Sequence, residues 1–417
     1  MRSSPINALQ VECNEPPLHI RRQFLSDRLF FRVLQFSKSL LITKLYDLAN
    51  LVESSSYWNH KTLPCLVKSY LKYKTLNSPI HRSPIIDLFK CEYEALIEMP
   101  TVILNLNIDR SNSNSHFNSI VAEKWPSYNH VYTDASKHST GDCVGVGVYH
   151  PQYKIVQKIK CPPETTVFTA ECLGIVRALE YILLFKLSNN LIISDSMSAL
   201  QALLKYPFRS KPYFPLIAEA RSRLRACSLK GFSVTFIWVP SHCGIKGNEK
   251  ADILANEAVT CGDHYPFKNF AHDLIALPRQ YLQDSWNRVW AESSQVKGKH
   301  YCNIQPKIPL KPWFSFIRFG KIATTVLIRM RLGHTTCPAH LVRFHIVDSP
   351  QCECGHDFGD LDHIFFACPK YDHASFYRCL ISLRVPLPTN INSILHTINP
   401  NIYNLLSDFI YSNNIKL

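Results

Sequence analysis

Between residues 127 and 262 short β-rich runs and helical runs alternate in an order that few architectures accept. The runs "HVYTDAS" (130–136), "CVGVGVYH" (143–150) and "KIVQKIK" (154–160) alternate in polarity and are joined by turns containing Gly141, Asp142 and Pro151, which predicts a three-stranded meander. A long helix follows in "TTVFTAECLGIVRALEYILLF", with Phe168, Cys172, Ile175, Leu179 and Ile182 on one stripe. Then come the strand "LIIS" (191–194), helical "SALQALLKY" and "LIAEARSRLRA", the strand "FSVTFIWV" (232–239), and a last helix within "PSHCGIKGNEKADILANEA" (240–258). The order β-β-β-α-β-α-α-β-α implies an α/β domain, a mixed five-stranded sheet with helices on both faces.

The flanks read differently. Residues 1–108 carry apolar and aromatic residues at helical spacing, as in "FLSDRLFFRVLQF", broken at "EPPL", "NSPIHRSP" and "EMP"; a helical region is expected there. The Ser/Asn-rich "DRSNSNSHFNS" places a linker over 109–126. Beyond the α/β domain, 263–345 is expected to be helical, 346–375 to hold a Cys/His cluster, and 376–417 to form a tail.

With 417 residues, 46% of them hydrophobic, the chain can bury more than one core. Its net charge of +14 is spread evenly, +4 over 1–126, +5 over 127–262 and +5 beyond, and is not a tail; this fits a polyanionic partner, though chains this basic also occur without one. The fifteen cysteines are odd in number and scattered, and Glu12, Glu15, Arg21 and Arg22 interrupt any signal-like apolar run. A reduced, intracellular, non-secreted chain is expected, nucleus or cytoplasm left open. No uncharged apolar stretch approaches ~18 residues, so no membrane partner is expected.

Four acids in the α/β domain sit at element ends or inward edges. Asp134 and Asp195 end strands in "YTDASK" and "SDSMSAL", Glu171 lies beside the stripe of the long helix, and Asp252 begins the last helix. Singly, each has an ordinary explanation: a turn former, an N-cap, or the partner of a Lys or Arg. Together, if the first and fourth strands are neighbours, they converge and repel unless divalent cations intervene. Oxygen-only ligands favour two Mg²⁺ or Mn²⁺ ions over Zn²⁺. His242, in a glycine-bearing loop, suits a mobile proton carrier. Asn248 is expected to cap the last helix after a break at Gly247, and Glu249 to be a helix-start charge.

"YTDASK", "TAECLGIVRALE", "SDSMSAL" and "WVPSHCGIKGNEKADILANEA", with acids 37, 61 and 118 residues after Asp134, closely resemble the type 1 ribonuclease H domain. The variant looks like that of non-LTR retrotransposon polyproteins of the jockey and related insect groups. The resemblance implies a ribonuclease H-like fold over 127–262 and endonucleolytic hydrolysis of the RNA strand of an RNA–DNA hybrid, leaving 5′-phosphate and 3′-hydroxyl ends. It implies that Asp134 bridges two metal ions, Glu171 and Asp195 complete one site, Asp252 the other, and His242 assists proton transfer. Ser136, Ser196 and Asn248 fall near the substrate. The basic helix by which many cellular members grip the hybrid is missing. Arg221, Arg223 and Arg225 are candidates to replace it in part, so weak hybrid affinity is expected of the isolated domain.

Residues 1–108 resemble the helical region that follows the polymerase palm in the same polyproteins, and no adjacent Asp pair occurs in the chain. The chain thus resembles a C-terminal piece of such an element, with a reverse transcriptase in trans as a further partner; its oligomeric state is left open. Cys352, Cys354, His363 and Cys368, in a C-x-C-x8-H-x4-C spacing, suit a tetrahedral Zn²⁺ site, with Gly355 permitting the turn. Two other readings compete: a catalytically weak or inactive nucleic-acid-binding remnant of a retrotransposon, and an integrase or resolvase, which the order Asp, Glu, Asp, Asp with His242 disfavours.

Overall fold

Alternating apolar residues on the central strands are sorted by one sheet into two cores. The computed structural model describes residues 5–36, 39–74, 97–109, 112–139, 142–205, 215–264, 269–317 and 319–417. Within them β1 (Thr101–Ile103), β2 (Asn129–Ser136), β3 (Val144–His150), β4 (Ile155–Cys161), β5 (Asn189–Ser194), β6 (Ser233–Trp238) and β7 (Asp263–His264) form a sheet ordered β1-β6-β5-β2-β3-β4-β7. β2, β3 and β4 are the antiparallel meander, while β2–β5, β5–β6, β1–β6 and β4–β7 pair parallel.

On one face Val131, Val146, Ile192 and Phe236 pack with residues of the helices Val167–Phe185, Met197–Leu204 and Pro215–Leu229, among them Leu173, Leu200 and Leu216. On the other, Tyr132, Leu191, Ile193 and Ile237 pack with Ala251 of the helix Lys246–Cys261 and with Phe117 and Val121 of the helix Ser113–Lys124. The period of two that predicts strands is the period that divides these cores. The helix Lys246–Cys261 lies directly on β3, where a Cβ at Gly147 would stand 2.3 Å from the Ala251 carbonyl oxygen and one at Gly145 2.0 Å from that of Ala255. Glycine on the strand and alanine on the helix are what allow this approach.

The α/β class and the mixed sheet are as the sequence predicts, but the sheet has seven strands where five were expected. The added β1 and β7 are three and two residues long, too short to carry a polarity pattern. The linker expected over 109–126 is, from Ser113 to Lys124, a helix. Phe117 and Val121, four residues apart, anchor it in the core beneath a Ser/Asn-rich composition that suggested a loop. The expected turn at Gly141 and the break "NSPIHRSP" lie outside the described residues, as does Tyr206 at the end of "SALQALLKY".

The chain forms two compact units, one of Leu25–Arg279 and one joining the chain up to Phe24 with Gln280–Leu417. The helical region expected over 1–108 is therefore divided. In the Leu25–Arg279 unit, Phe30, Phe31, Leu45, Val67 and Leu274 form a helical cluster. In the other, Glu12 of the helix Ile6–Glu12 is buried 2.9 Å from Arg331 Nε, and its carboxylate also accepts from Tyr301 Oη at 2.5 Å and Trp313 Nε1 at 2.6 Å. Nor is 376–417 a tail. Phe376, Leu380, Ile394, Tyr403 and Phe409 share one core with Trp313, Leu327 and Phe365. Among the described residues no helix is long and apolar enough to cross a membrane.

Candidate active site

The register of the sheet decides where the acids go. β2 and β5 run parallel with Thr133 opposite Ser194, so the next residues, Asp134 and Asp195, stand side by side at neighbouring strand ends. Glu171 reaches them from the helix Val167–Phe185, whose first turn is fixed by the Thr166 side chain accepting from the Thr169 amide. Ligand oxygens of Asp134, Glu171 and Asp195 all lie within 4.8 Å of one another, with Asp134 and Glu171 buried.

Among the described residues no Lys or Arg pairs with any of these three acids or with Asp252. The lysine nearest to Asp134 in sequence, Lys137, donates instead to the carbonyls of Pro163 and Thr165. Burial, and then the charge of Asp195, push the Asp134 carboxyl up to about 8. Burial, and then the charge of Asp134, hold Glu171 well above the usual carboxylate range. Glu171 Oε2 is buried with no hydrogen-bond partner, a costly arrangement that a cation would relieve.

A second group lies alongside. His242, Glu249 and Asp252 also bring ligand atoms within 4.8 Å of one another, and Asp134 feels the charge of Asp252. His242 is in the left-handed region at φ 51°, its side chain 72% exposed and its Nδ1 3.7 Å from Asp252 Oδ2. That is an exposed imidazole beside the Asp252 carboxylate. Glu249 is more than a helix-start charge, since its Oε1 also accepts from the Gly244 amide at 3.0 Å and ties the His242 loop to the helix.

Three expectations at this helix need correction. It starts at Lys246 with Ile245 as its unbonded cap, so Asp252 sits in the second turn and not at the beginning. Gly247 lies inside the helix because its Cα rests on the Tyr132 ring, where a Cβ would come within 2.2 Å. Asn248 neither caps nor faces outward: it is buried, and its Nδ2 donates to Asp195 Oδ2 at 3.2 Å.

Residues 126–260 match the RNase H family model. No curated protein matches the chain. The matched residues contain β2 to β6, the strands whose ends gather the acids. Ser196 stands at the N-terminus of the helix Met197–Leu204, directly after Asp195, and Ser136 ends β2. Of the arginines that were candidates to replace the missing basic helix in part, Arg221 is buried and holds the carbonyls of Leu203 and Lys205, while Arg223 pairs with Glu180 and Glu219, and Arg225 with Glu98. Two residues that sequence reading passed over, His138 and Asn256, meet at the rim. The spacing of Asn256, four residues after Asp252 on one helix face, was the available signal.

In the other unit Cys352, Cys354, His363 and Cys368 converge with all ligand atoms within 4.8 Å. Cys352 and Cys368 Sγ are 3.9 Å apart, and Cys354 Sγ is 3.2 Å from His363 Nε2. The short Cys-x-Cys gap closes because Gly355 takes φ 95°, its amide donating to the Cys352 carbonyl, while Asp360 caps the helix that presents His363.

Proposed function

We propose that the RNase H domain cleaves the RNA strand of RNA–DNA hybrids endonucleolytically, leaving 5′-phosphate and 3′-hydroxyl ends by a two-metal mechanism. The observation that carries this reading is the unneutralised convergence of Asp134, Glu171 and Asp195, with the orphaned Glu171 Oε2, beside the His242, Glu249 and Asp252 group. The donor set fits hard cations: every candidate ligand in the first group is a carboxylate oxygen. Mg²⁺ or Mn²⁺ held by Asp134, Glu171, Asp195 and Asp252 would supply Lewis-acid chemistry for phosphodiester hydrolysis.

The chain's own residues do the rest. Asp134, in the first group, also feels the charge of Asp252 in the second. Asn248 orients Asp195 through its 3.2 Å bond. His242, exposed and beside Asp252, takes up and releases a proton at the imidazole during departure of the product. Ser136 and Ser196, at the ends of β2 and β5, border the hybrid backbone, and Glu171 with the Ser136 backbone senses the 2′-hydroxyl. The test is Mg²⁺-dependent cleavage of labelled hybrid by the full chain, with Asp134→Asn as control. Loss of cleavage in the variant is expected, and equal cleavage by both, or none by either, refutes the reading.

A catalytically weak remnant is the second reading. It is favoured by the bonds within the chain that engage Arg221, Arg223 and Arg225, the candidates to replace the missing basic helix in part. Resemblance to the non-LTR variant supports a retroelement origin, with a reverse transcriptase acting in trans. For the Cys/His cluster we propose structural Zn²⁺: tetrahedral sulfurs about 2.3 Å from zinc lie roughly 3.8 Å apart, and the Cys352–Cys368 separation is 3.9 Å.

A further inference from the structure

Asn256 has no place in the chemistry above, yet three site residues converge on it. Its Nδ2 donates to Asp252 Oδ1 at 2.9 Å. Its Oδ1 accepts from Ser136 Oγ at 2.5 Å and lies 2.8 Å from His138 Nε2. The orientation of the amide is fixed by chemistry. A carboxylate is acceptor-only, so the amide nitrogen must face Asp252 and the oxygen must face β2. His138 Nε2 therefore carries a proton, and the Ser136 hydroxyl proton is also committed to Asn256.

The elements that meet here are the ones a two-cation site must hold in register. Asp252 and Asn256 are on the helix Lys246–Cys261, whereas Ser136 and His138 follow Asp134 by two and four residues at the end of β2. An Asn four residues after an Asp is a common helix-surface pair of little consequence. Two further donors arriving from another element at the same oxygen are not explained by that pair.

We propose that Asn256 is a positioning residue of the RNase H site. It clamps the Asp252 carboxylate and ties the helix carrying it to the strand end carrying Asp134, so that the two ligand groups keep the separation a pair of divalent cations requires. Ser136 and His138 are the fixed side of the clamp. The inference rests on the proposed two-metal reading and goes beyond it in assigning roles to Asn256 and His138.

Mn²⁺ binding to the full chain by calorimetry tests it apart from activity. Asn256→Leu, similar in size but unable to hydrogen-bond, is expected to bind Mn²⁺ roughly tenfold more weakly, the scale of one charge-assisted hydrogen bond. His138→Phe should weaken it in the same direction, and His138→Gln, which keeps a donor, should restore most of the loss. Both His138 changes are at an exposed position, so they serve if Asn256→Leu fails to fold. Wild-type Mn²⁺ affinity in Asn256→Leu and His138→Phe, with only the thermal midpoint lowered, overturns the proposal, as does a wild-type chain that takes up no Mn²⁺. A wild type that binds Mn²⁺ without cleaving hybrid discards the hydrolase reading and leaves the Asn256 comparison intact.

Discussion

Asp134→Asn should stabilise the metal-free protein while abolishing cleavage. The Asp134 carboxyl rises from 3.8 to about 8 on folding, through burial and then the charge of Asp195. Because the folded value exceeds the unfolded one, the native state holds this proton more tightly. The associated stability is fully present below about pH 4 and is lost as pH rises toward about 8, at up to ~1.4 kcal/mol per unit. At pH 7 the loss has a ceiling of about 4 kcal/mol, and at pH 5 less than half of that. Glu171, buried beside Asp134, shares the burden, so about 2 kcal/mol is expected at pH 7 for the single substitution. Asn keeps the oxygen that accepts from the Ala135 amide at 2.7 Å. Thermal unfolding in EDTA should therefore show the variant melting about 4–8 °C above wild type at pH 7, with a smaller gap at pH 5. Added Mg²⁺ should shrink or reverse the difference, since cation binding stabilises wild type preferentially. A variant less stable than wild type in EDTA at pH 8, or a gap that does not narrow at pH 5, would refute the electrostatic reasoning.

Other substitutions probe separate parts. Glu12→Ala strands the buried Arg331 and should cost about 3–5 kcal/mol by denaturant titration; a loss under 1 kcal/mol would contradict the burial. Gly147→Val places side-chain atoms against the Ala251 carbonyl and should prevent the helix Lys246–Cys261 from seating, read as loss of cooperative melting and of cleavage. Cys354→Ser should leave less than one zinc per chain by elemental analysis where wild type holds one. His242→Ala, at an exposed loop position, should lower turnover by about 10²-fold, within the usual range for a proton-transfer residue, and leave the thermal midpoint within about 1 °C.

The β-β-β-α-β-α-α-β-α order was legible because the meander strands alternate, as in "VGVGVYH", and the central strand "LIIS" is a short apolar run too brief for a helix. The convergence of Asp134 and Asp195 was legible because strand ends can be located from those periods, and the parallel pairing of β2 with β5 makes the two neighbours. What the sequence concealed was mostly long-range. β1 pairs with β6, 134 positions away at Thr101 and Thr235, and three residues hold no pattern of their own. Glu12 looked like a charge in a helical N-terminal region, but its partners Tyr301, Trp313 and Arg331 are about three hundred residues distant. Asn248 misled for a local reason. Its type favours an N-cap, whereas the helix begins two residues earlier and turns the amide inward to Asp195.

Buried acids elsewhere in the molecule show why the site is read as functional. Glu12 meets Arg331, Tyr301 and Trp313. Asp27 accepts from Ser69 and Tyr73 and pairs with Lys72. Asp273 accepts from Thr166, Thr169 and the Phe270 amide. Each of these carboxylates is matched by donors, as a structural acid must be, since an unpaired one costs several kcal/mol. Asp134 and Glu171 are as deeply placed, but their nearest charged neighbours are acids, and one Glu171 oxygen has no donor at all. Packing alone gives no reason to place three carboxylates within 4.8 Å of each other. The proposed cation is what would offset this arrangement, which is why the pH dependence of Asp134→Asn in EDTA and the Mn²⁺ affinity of Asn256→Leu bear on the same question from opposite sides.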